Sequence, residues 1–378
     1  MYFKDIIAQQ ETIERLVQYA QNGTVPHAML FTGPEGVGKL QTAIAFARYM
    51  LCRDRGNGAD SCGHCPSCVK MDKLVHPDLH FVYPVINKSK SAGRSTISDD
   101  EISPWREIVL ENHYFGFEEW LSAIDAENKQ ARIFVTESES INEKLSLKSV
   151  EGGYKIVIIW HAEKMKVECA NSLLKLLEEP PAGTVFILTT DSPELLLETI
   201  VSRTQRIEFK RLPQKEIMEK LTGPGYLLDS ETAQKIAHLS AGSWLKAIDT
   251  LRINTESEEF LNYFIQFMRL TYARRLKDLK EWSETIASNG REWQKRFLQY
   301  CQRMIRENFI SNFGRPELNY MTESERQFSV KFAPFVNENN IIGLMETLSD
   351  AQRDIEQNVN SKMVFFDLSL KTIMLMKQ

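Results

Sequence analysis

The sequence lacks any long hydrophobic run. No uninterrupted apolar stretch among its 378 residues approaches the roughly 18 residues that a membrane-spanning helix needs. The first residues, Met1 to Asp5, lack the basic and then apolar region of a secretion signal. We therefore expect a cytoplasmic protein with no membrane partner.

An excess of positive charge is also missing. The chain carries 46 Lys and Arg against 51 Asp and Glu, for a net charge of −5. This balance argues against a protein that coats nucleic acid through its overall field, although it is compatible with a local basic face.

Cysteine is scarce, but it is concentrated. Four of the six cysteines fall within 17 residues, with the spacing C-x9-C-x2-C-x2-C, at Cys52, Cys62, Cys65 and Cys68. In a chain without a secretion signal, such crowding favours a metal site over a disulfide framework. Four thiolates complete the tetrahedral shell of a structural zinc ion, so a fifth ligand such as His64 is not needed.

The hydrophobic pattern changes near residue 210. Residues 1–210 alternate short strand-like runs with helical patterns, which predicts a parallel α/β sheet covered by helices. From 211 the pattern is helical, and we predict a small helical domain at 211–255 and a larger one at 256–378. An insertion at about 85–130 joins a basic, turn-prone segment (88–96) to an aromatic stretch; we interpret the aromatics as a minor core rather than as a partner-binding surface.

A phosphate-binding loop follows the first predicted strand. The glycines of such a loop let backbone N–H groups approach a phosphate, and its lysine reaches the β and γ oxygens. The candidate residues are Gly33, Gly36, Val37, Gly38, Lys39 and Leu40. The last position normally holds Ser or Thr for magnesium, and a leucine there cannot bind a hard cation.

The residues for hydrolysis are also missing after a second strand. An active ATPase of this type carries Asp and then Glu directly after the strand, whereas this chain has Trp160 and His161. Glu163 lies two residues further on, where the chain should already turn away. We predict that the chain does not hydrolyse ATP, while binding of ATP or ADP without hydrolysis stays open.

Further segments of the chain form a recognisable combination with the cysteine cluster and the phosphate loop. They are Ile6 to Gln9, His27 to Phe31, His76 to Asp78, Ala170 to Pro181, Thr199 to Thr204 and Asn358 to Asn360. Taken together, these segments resemble the delta-prime family of bacterial DNA polymerase III clamp-loader subunits, which is related to the gamma/tau ATPase. In the segment Thr199 to Thr204, Thr204 replaces the family's cysteine, and the 85–130 insertion is longer than is usual.

The resemblance implies specific roles. It implies an AAA+ domain with a zinc module, a helical lid at 211–255 and a collar at 256–378. It also implies assembly with gamma/tau and delta subunits, and action on the sliding clamp and primed DNA through that complex. Arg203 would be an arginine finger for a neighbour's ATP; the alternative is a surface arginine paired with Glu198 or Glu208.

Two other functions stay open at this point. One is an active gamma/tau-like ATPase that holds its metal in an unusual way, which Leu40, Trp160 and His161 disfavour. The other is a zinc-dependent nucleic-acid-binding module, which the acidic net charge disfavours.

Overall fold

A computed structural model describes residues 1–55, 58–87, 95–126, 129–313 and 321–376. Most of the predicted basic segment therefore lies outside the described residues. The chain divides into two compact units, Met1–Thr250 and Leu251–Gln378. The finer division at residues 210 and 255 stays a prediction. Among the described residues, no helix has the length and apolar character needed to cross a membrane.

The first unit is built on one parallel sheet of five strands in the order β2-β3-β4-β1-β5. This sheet confirms the predicted α/β class. The strands are β1 Ala28–Thr32, β2 Leu79–Val82, β3 Lys155–Ile159, β4 Thr184–Thr190 and β5 Gln205–Glu208.

Helices cover both faces of this sheet, as the apolar strands require. In β3, Ile156 and Ile158 belong to the core on one face, and Val157 and Ile159 to the core on the other. The α-helices that begin in this unit are α1 Gln10–Gln21, α2 Lys39–Leu51, α3 Pro66–Asp72, α4 Ile102–Glu111, α5 Phe117–Ala123, α6 Val135–Ser146, α7 Val167–Glu178, α8 Glu198–Val201, α9 Gln214–Thr222, α10 Ser230–Leu239 and α11 Trp244–Tyr272.

Three aromatic side chains of the 85–130 insertion, those of Trp105, Phe115 and Trp120, are buried, but they do not form a separate core. Trp105 stacks on Tyr83 with ring centroids 4.1 Å apart, and the ring of Trp120 meets the edge of this pair. These residues belong to the main hydrophobic core on the α2 side of the sheet. The insertion is thus an integral part of the first unit.

The second unit is helical in its described part. After the end of α11 its helices are α12 Leu276–Ala287, α13 Arg291–Ser311, α14 Glu323–Phe332, α15 Ile341–Glu356 and α16 Ser361–Leu375. Its core is rich in aromatic side chains, and Phe267 stacks on Trp282 with centroids 4.6 Å apart.

Candidate functional site

Three chain segments meet at one edge of the sheet. The parallel strands β1, β3 and β4 lie side by side, so their carboxyl ends reach the same edge. The phosphate loop, defined here as Gly33–Lys39, follows β1; Trp160 and His161 follow β3; and Asp191 follows β4. All three segments line one small cavity.

The phosphate loop has the backbone that the sequence predicts. Gly38 has φ 95° and is the N-terminal cap of α2, so the loop leads directly into the helix. Gly36 has φ 77°, and a Cβ atom there would lie 2.9 Å from the backbone nitrogen of Leu245. The carbonyl of Gly36 accepts a hydrogen bond from the N–H of Trp244 at 3.0 Å. The loop therefore packs closely against the start of α11.

Lys39 is engaged by its own chain. Its Nζ lies 2.6 Å from Oδ1 of Asp191 and donates hydrogen bonds to the carbonyl oxygens of Gly33 at 2.7 Å and Pro34 at 2.5 Å. The lysine is 6% exposed. An ammonium group has three N–H donors, so these three oxygens account for its full bonding capacity.

Part of the insertion lies against the phosphate loop. We call this part, residues 113–117, the cover segment. Its His113 carbonyl accepts a hydrogen bond from Nε2 of Gln41 at 2.6 Å, and its Tyr114 hydroxyl accepts one from the N–H of Ile7 at 3.1 Å. The cavity left between the cover segment and the phosphate loop holds about 30 Å³, enough for only a few water molecules.

Two acids, Glu35 and Asp191, line this cavity together with His161, which contacts a third acid, Glu163. Nδ1 of His161 lies 2.6 Å from Oε1 of Glu163 and 3.7 Å from Oδ2 of Asp191. Burial acts to raise the pKa of Glu163, but the hydrogen bond and charge of His161 together with the hydrogen bond from Thr190 outweigh it, and the net effect lowers the pKa. Burial and the charge of Asp191 raise the pKa of Glu35. Asp191 thus lies between two cationic or protonatable groups, Lys39 and His161, and its charge is already engaged within the chain.

The residues that would bind a nucleotide do not fit one in this arrangement. The cavity is far smaller than a nucleotide, and Lys39 is already neutralised by Asp191. Leu40, at the position of the usual magnesium ligand, is 4% exposed and belongs to the hydrophobic core. Trp160 also packs in that core, with its ring 5.2 Å from that of Phe115.

The four cysteines fit a zinc ion. Their Sγ atoms all lie within 4.8 Å of one another, with Cys52 and Cys65 at 4.0 Å and Cys62 and Cys68 at 3.9 Å. Tetrahedral zinc with Zn–S bonds of about 2.3 Å requires sulfur atoms roughly 3.8 Å apart. Zinc at this cysteine cluster would hold the end of α2 to the start of α3.

Acidic side chains tie the cysteine cluster to the sheet. Oε2 of Glu151 accepts a hydrogen bond from the Ser67 hydroxyl at 2.7 Å and lies 3.0 Å from the Arg53 guanidinium. The carboxylate of Asp78 accepts the backbone N–H groups of Val150 at 2.8 Å and Glu151 at 3.0 Å. These bonds fix the loop that leads into β3.

Arg203 lies just after α8, and it does not line the phosphate-loop cavity. Its side chain is 34% exposed and forms an ion pair with Glu178, the last residue of α7. The partner is therefore neither Glu198 nor Glu208, the two acids proposed from the sequence.

Sequence reasoning missed Asp191 and Tyr114. Asp191 could have been found as a polar residue directly after an apolar strand, but only the strand order brings it beside Lys39. In the sequence Tyr114 is one of several aromatics of the insertion, and nothing in the local pattern indicates that it lies beside Gly38.

Comparison with known proteins assigns the family. The family described as "DNA polymerase III, delta subunit" matches residues 8–213, which is more than half of the chain. This range contains the phosphate loop, the cysteine cluster and Arg203.

Individual relatives agree with this match. A protein named DNA polymerase III subunit delta′ from Bacillus subtilis (strain 168) is 28% identical over 66% of this chain and 60% of its own length. Its namesake from Escherichia coli (strain K12) is 30% identical over 61% of this chain and 56% of its own length. DNA polymerase III subunit tau of the same Bacillus strain is 28% identical over 61% of this chain and 32% of its own length.

The chain thus spans less than two thirds of the length of these curated relatives. The family match nevertheless covers the whole sheet, the phosphate loop, the cysteine cluster and Arg203. The chain therefore belongs to the DNA polymerase III delta subunit family of clamp-loader proteins.

Proposed function

We propose that this chain is the delta-prime subunit of a DNA polymerase III clamp-loader complex and that it does not itself hydrolyse ATP. In this role it assembles with gamma/tau and delta subunits, and the complex loads the sliding clamp on primed DNA. Residues 1–210 act as the AAA+ domain with its zinc module, 211–255 as the lid and 256–378 as the collar through which the subunits assemble.

One observation carries the proposal: the phosphate loop is internally engaged while Arg203 remains accessible. Lys39 is bonded to three oxygens of its own chain and is buried. A subunit with such a loop serves a nucleotide-dependent complex through its contacts rather than through its own turnover. Arg203, whose side chain is 34% exposed, is the group of this chain best suited to stabilise charge on a phosphate held by a neighbour.

The experiment replaces Arg203 in the reconstituted complex of this chain with gamma/tau, delta, the clamp and primed DNA. We expect Arg203→Ala to leave assembly intact and to lower ATP turnover at the facing site by about 10³-fold, because a trans arginine acts mainly in the transition state. The other sites of the complex dilute this loss, so total turnover falls modestly and clamp loading falls more.

Two further variants sharpen the result. Arg203→Lys should rescue little, because a point charge does not reproduce the planar fork of a guanidinium. Arg206→Ala removes another exposed arginine three residues away and should leave turnover unchanged. An assembled Arg203→Ala complex that hydrolyses ATP and loads clamps at the unmodified rate would exclude the proposed role.

A further inference from the structure

The guanidinium of Arg203 is held from two directions. Its Nε donates a hydrogen bond to Oε1 of Glu178 at 2.5 Å, and NH2 forms an ion pair with the same oxygen. On the other side, NH1 donates a hydrogen bond to the carbonyl oxygen of Thr199 at 2.9 Å. The carboxylate comes from the end of α7 and the carbonyl from α8, so the plane of the guanidinium is fixed against two helices.

These contacts leave part of the guanidinium available. The group has five N–H donors, and the three bonds to Glu178 and Thr199 use three of them. NH1 also donates a long hydrogen bond to the Ser202 hydroxyl at 3.5 Å. One N–H of NH2 and one weakly engaged N–H of NH1 remain, on the two nitrogens at the tip of the side chain. That pair forms the fork that binds phosphate oxygens. Glu178 therefore holds one edge of the arginine without consuming the edge that a phosphate would need.

The position of Glu178 is unfavourable for its own helix. It is the last residue of α7, where the negative end of the helix dipole disfavours a carboxylate. The carboxylate is also 47% exposed, and exposed ion pairs contribute little to folding stability. Folding stability therefore explains little of why a glutamate occupies position 178, whereas its contact with Arg203 offers a direct explanation.

We propose that Glu178 is a positioning residue for Arg203, an inference that rests on the proposed function of that arginine. An arginine loses considerable rotamer freedom when it is held in one geometry. Because Glu178 and the Thr199 carbonyl already hold the side chain, this conformational entropy is lost before the neighbour's phosphate arrives. The loss therefore does not add to the activation free energy of the reaction. The class of ligand is the transferred phosphoryl group of a nucleoside triphosphate bound by the adjoining subunit.

The first test concerns the arginine in the isolated full-length chain and does not depend on ATP turnover. Hydrogen exchange of the Arg203 Nε–H is measured by NMR, with the signal assigned by its loss in Arg203→Lys. We expect slow exchange in the unmodified chain and in Glu179→Ala, and at least about tenfold faster exchange in Glu178→Ala. Glu179 is the matched control because it is the next residue and is exposed. Equal exchange rates in Glu178→Ala and Glu179→Ala would overturn the proposal.

The second test uses the reconstituted complex. We expect Glu178→Ala to lower the turnover rate at the facing site about fivefold with unchanged KM for ATP, a loss that corresponds to about 1 kcal/mol. Glu178→Gln keeps an acceptor oxygen and should retain most of the rate, and Glu179→Ala should retain all of it. In an Arg203→Ala background, Glu178→Ala should have no further effect.

The outcomes separate this inference from the proposed function. If Arg203→Ala lowers turnover and Glu178→Ala does not, positioning by Glu178 is wrong while the role of Arg203 stands. A fivefold loss that persists in the Arg203→Ala background would show that Glu178 acts through the fold, and a gain in turnover would show that it sequesters the arginine; either result overturns the proposal. If Arg203→Ala has no effect, the proposed function itself fails.

Discussion

Glu137 is a buried carboxyl group whose ionisation should control part of the pH dependence of stability. It lies in the first turn of α6, is 1% exposed and accepts hydrogen bonds on Oε2 from the Ser98 N–H at 2.7 Å and the Ser98 hydroxyl at 3.0 Å. Within the described residues its Oε1 has no hydrogen-bond partner. A buried ionised oxygen without a partner is costly, so the neutral acid is favoured.

The pKa gives the size and the sign of this effect. Burial raises the pKa of Glu137 from 4.5 to about 7, although the hydrogen bonds from Ser98 lower it in part. Because the folded-state pKa lies above the unfolded one, the folded state binds the proton more tightly. The resulting stabilisation is complete below about pH 4.5 and is lost as the pH rises through about 7. At about 1.4 kcal/mol for each unit of pKa, it amounts to about 3 kcal/mol.

The perturbation is Glu137→Gln, which keeps the shape and removes the titration. The amide oxygen can still accept from Ser98. Urea unfolding of the variant and of the unmodified chain, followed by tryptophan fluorescence between pH 5 and 8, gives the difference in unfolding free energy at each pH. We expect the variant to gain about 2 to 3 kcal/mol relative to the unmodified chain across this range. Taking the difference removes the pH dependence common to both proteins, such as that of the cysteine cluster.

Glu139→Gln is the control, since Glu139 is exposed on the same helix. Its difference from the unmodified chain should stay flat with pH. A flat difference for Glu137→Gln as well, or a loss of relative stability as the pH rises, would show that Glu137 is not held neutral by burial.

Two further predictions concern the cysteine cluster and the phosphate loop. The chain should purify with about one zinc ion, and Cys65→Ser should lose the zinc and lower the thermal stability, whereas His64→Ala, at an exposed side chain, should retain the zinc. Metal analysis that finds no zinc in fresh reduced protein would contradict this prediction. The isolated chain should neither bind a fluorescent ATP analogue at micromolar concentrations nor show magnesium-stimulated ATP turnover above that of Lys39→Ala. A clear difference in turnover between the unmodified chain and Lys39→Ala would refute the conclusion that the phosphate loop is blocked by its own chain.

Local patterns were sufficient for the features that depend on nearby residues. The phosphate loop between β1 and α2 follows from a strand, a glycine-rich turn and a helix in succession. The approach of the four cysteines follows from their spacing, which brings them together through one turn and two helix ends. The buried strands follow from runs that are apolar on both faces, because only a sheet covered on both sides requires them.

Features that depend on strand order were not predicted. Lys39 meets Asp191 because β4 pairs with β1, although the two residues are far apart in sequence. The partner of Arg203 was sought among acids close to it in sequence, whereas Glu178 comes from the preceding helix α7. Side-chain pairs of this kind are decided by how the elements pack, and short-range periodicity carries no information about that.

The burial of Trp160 limits which residue types can occupy position 160 without a loss of stability. An aspartate at this position would sit among the rings of Trp105, Phe115 and Phe117, and burial among apolar rings disfavours the charged form of a carboxyl group. It would also leave a void where the indole now packs. Replacing Trp160 with a metal-binding acid is therefore expected to lower stability unless the surrounding insertion changes at the same time. The aromatic packing thus opposes the introduction of a catalytic acid by a single substitution.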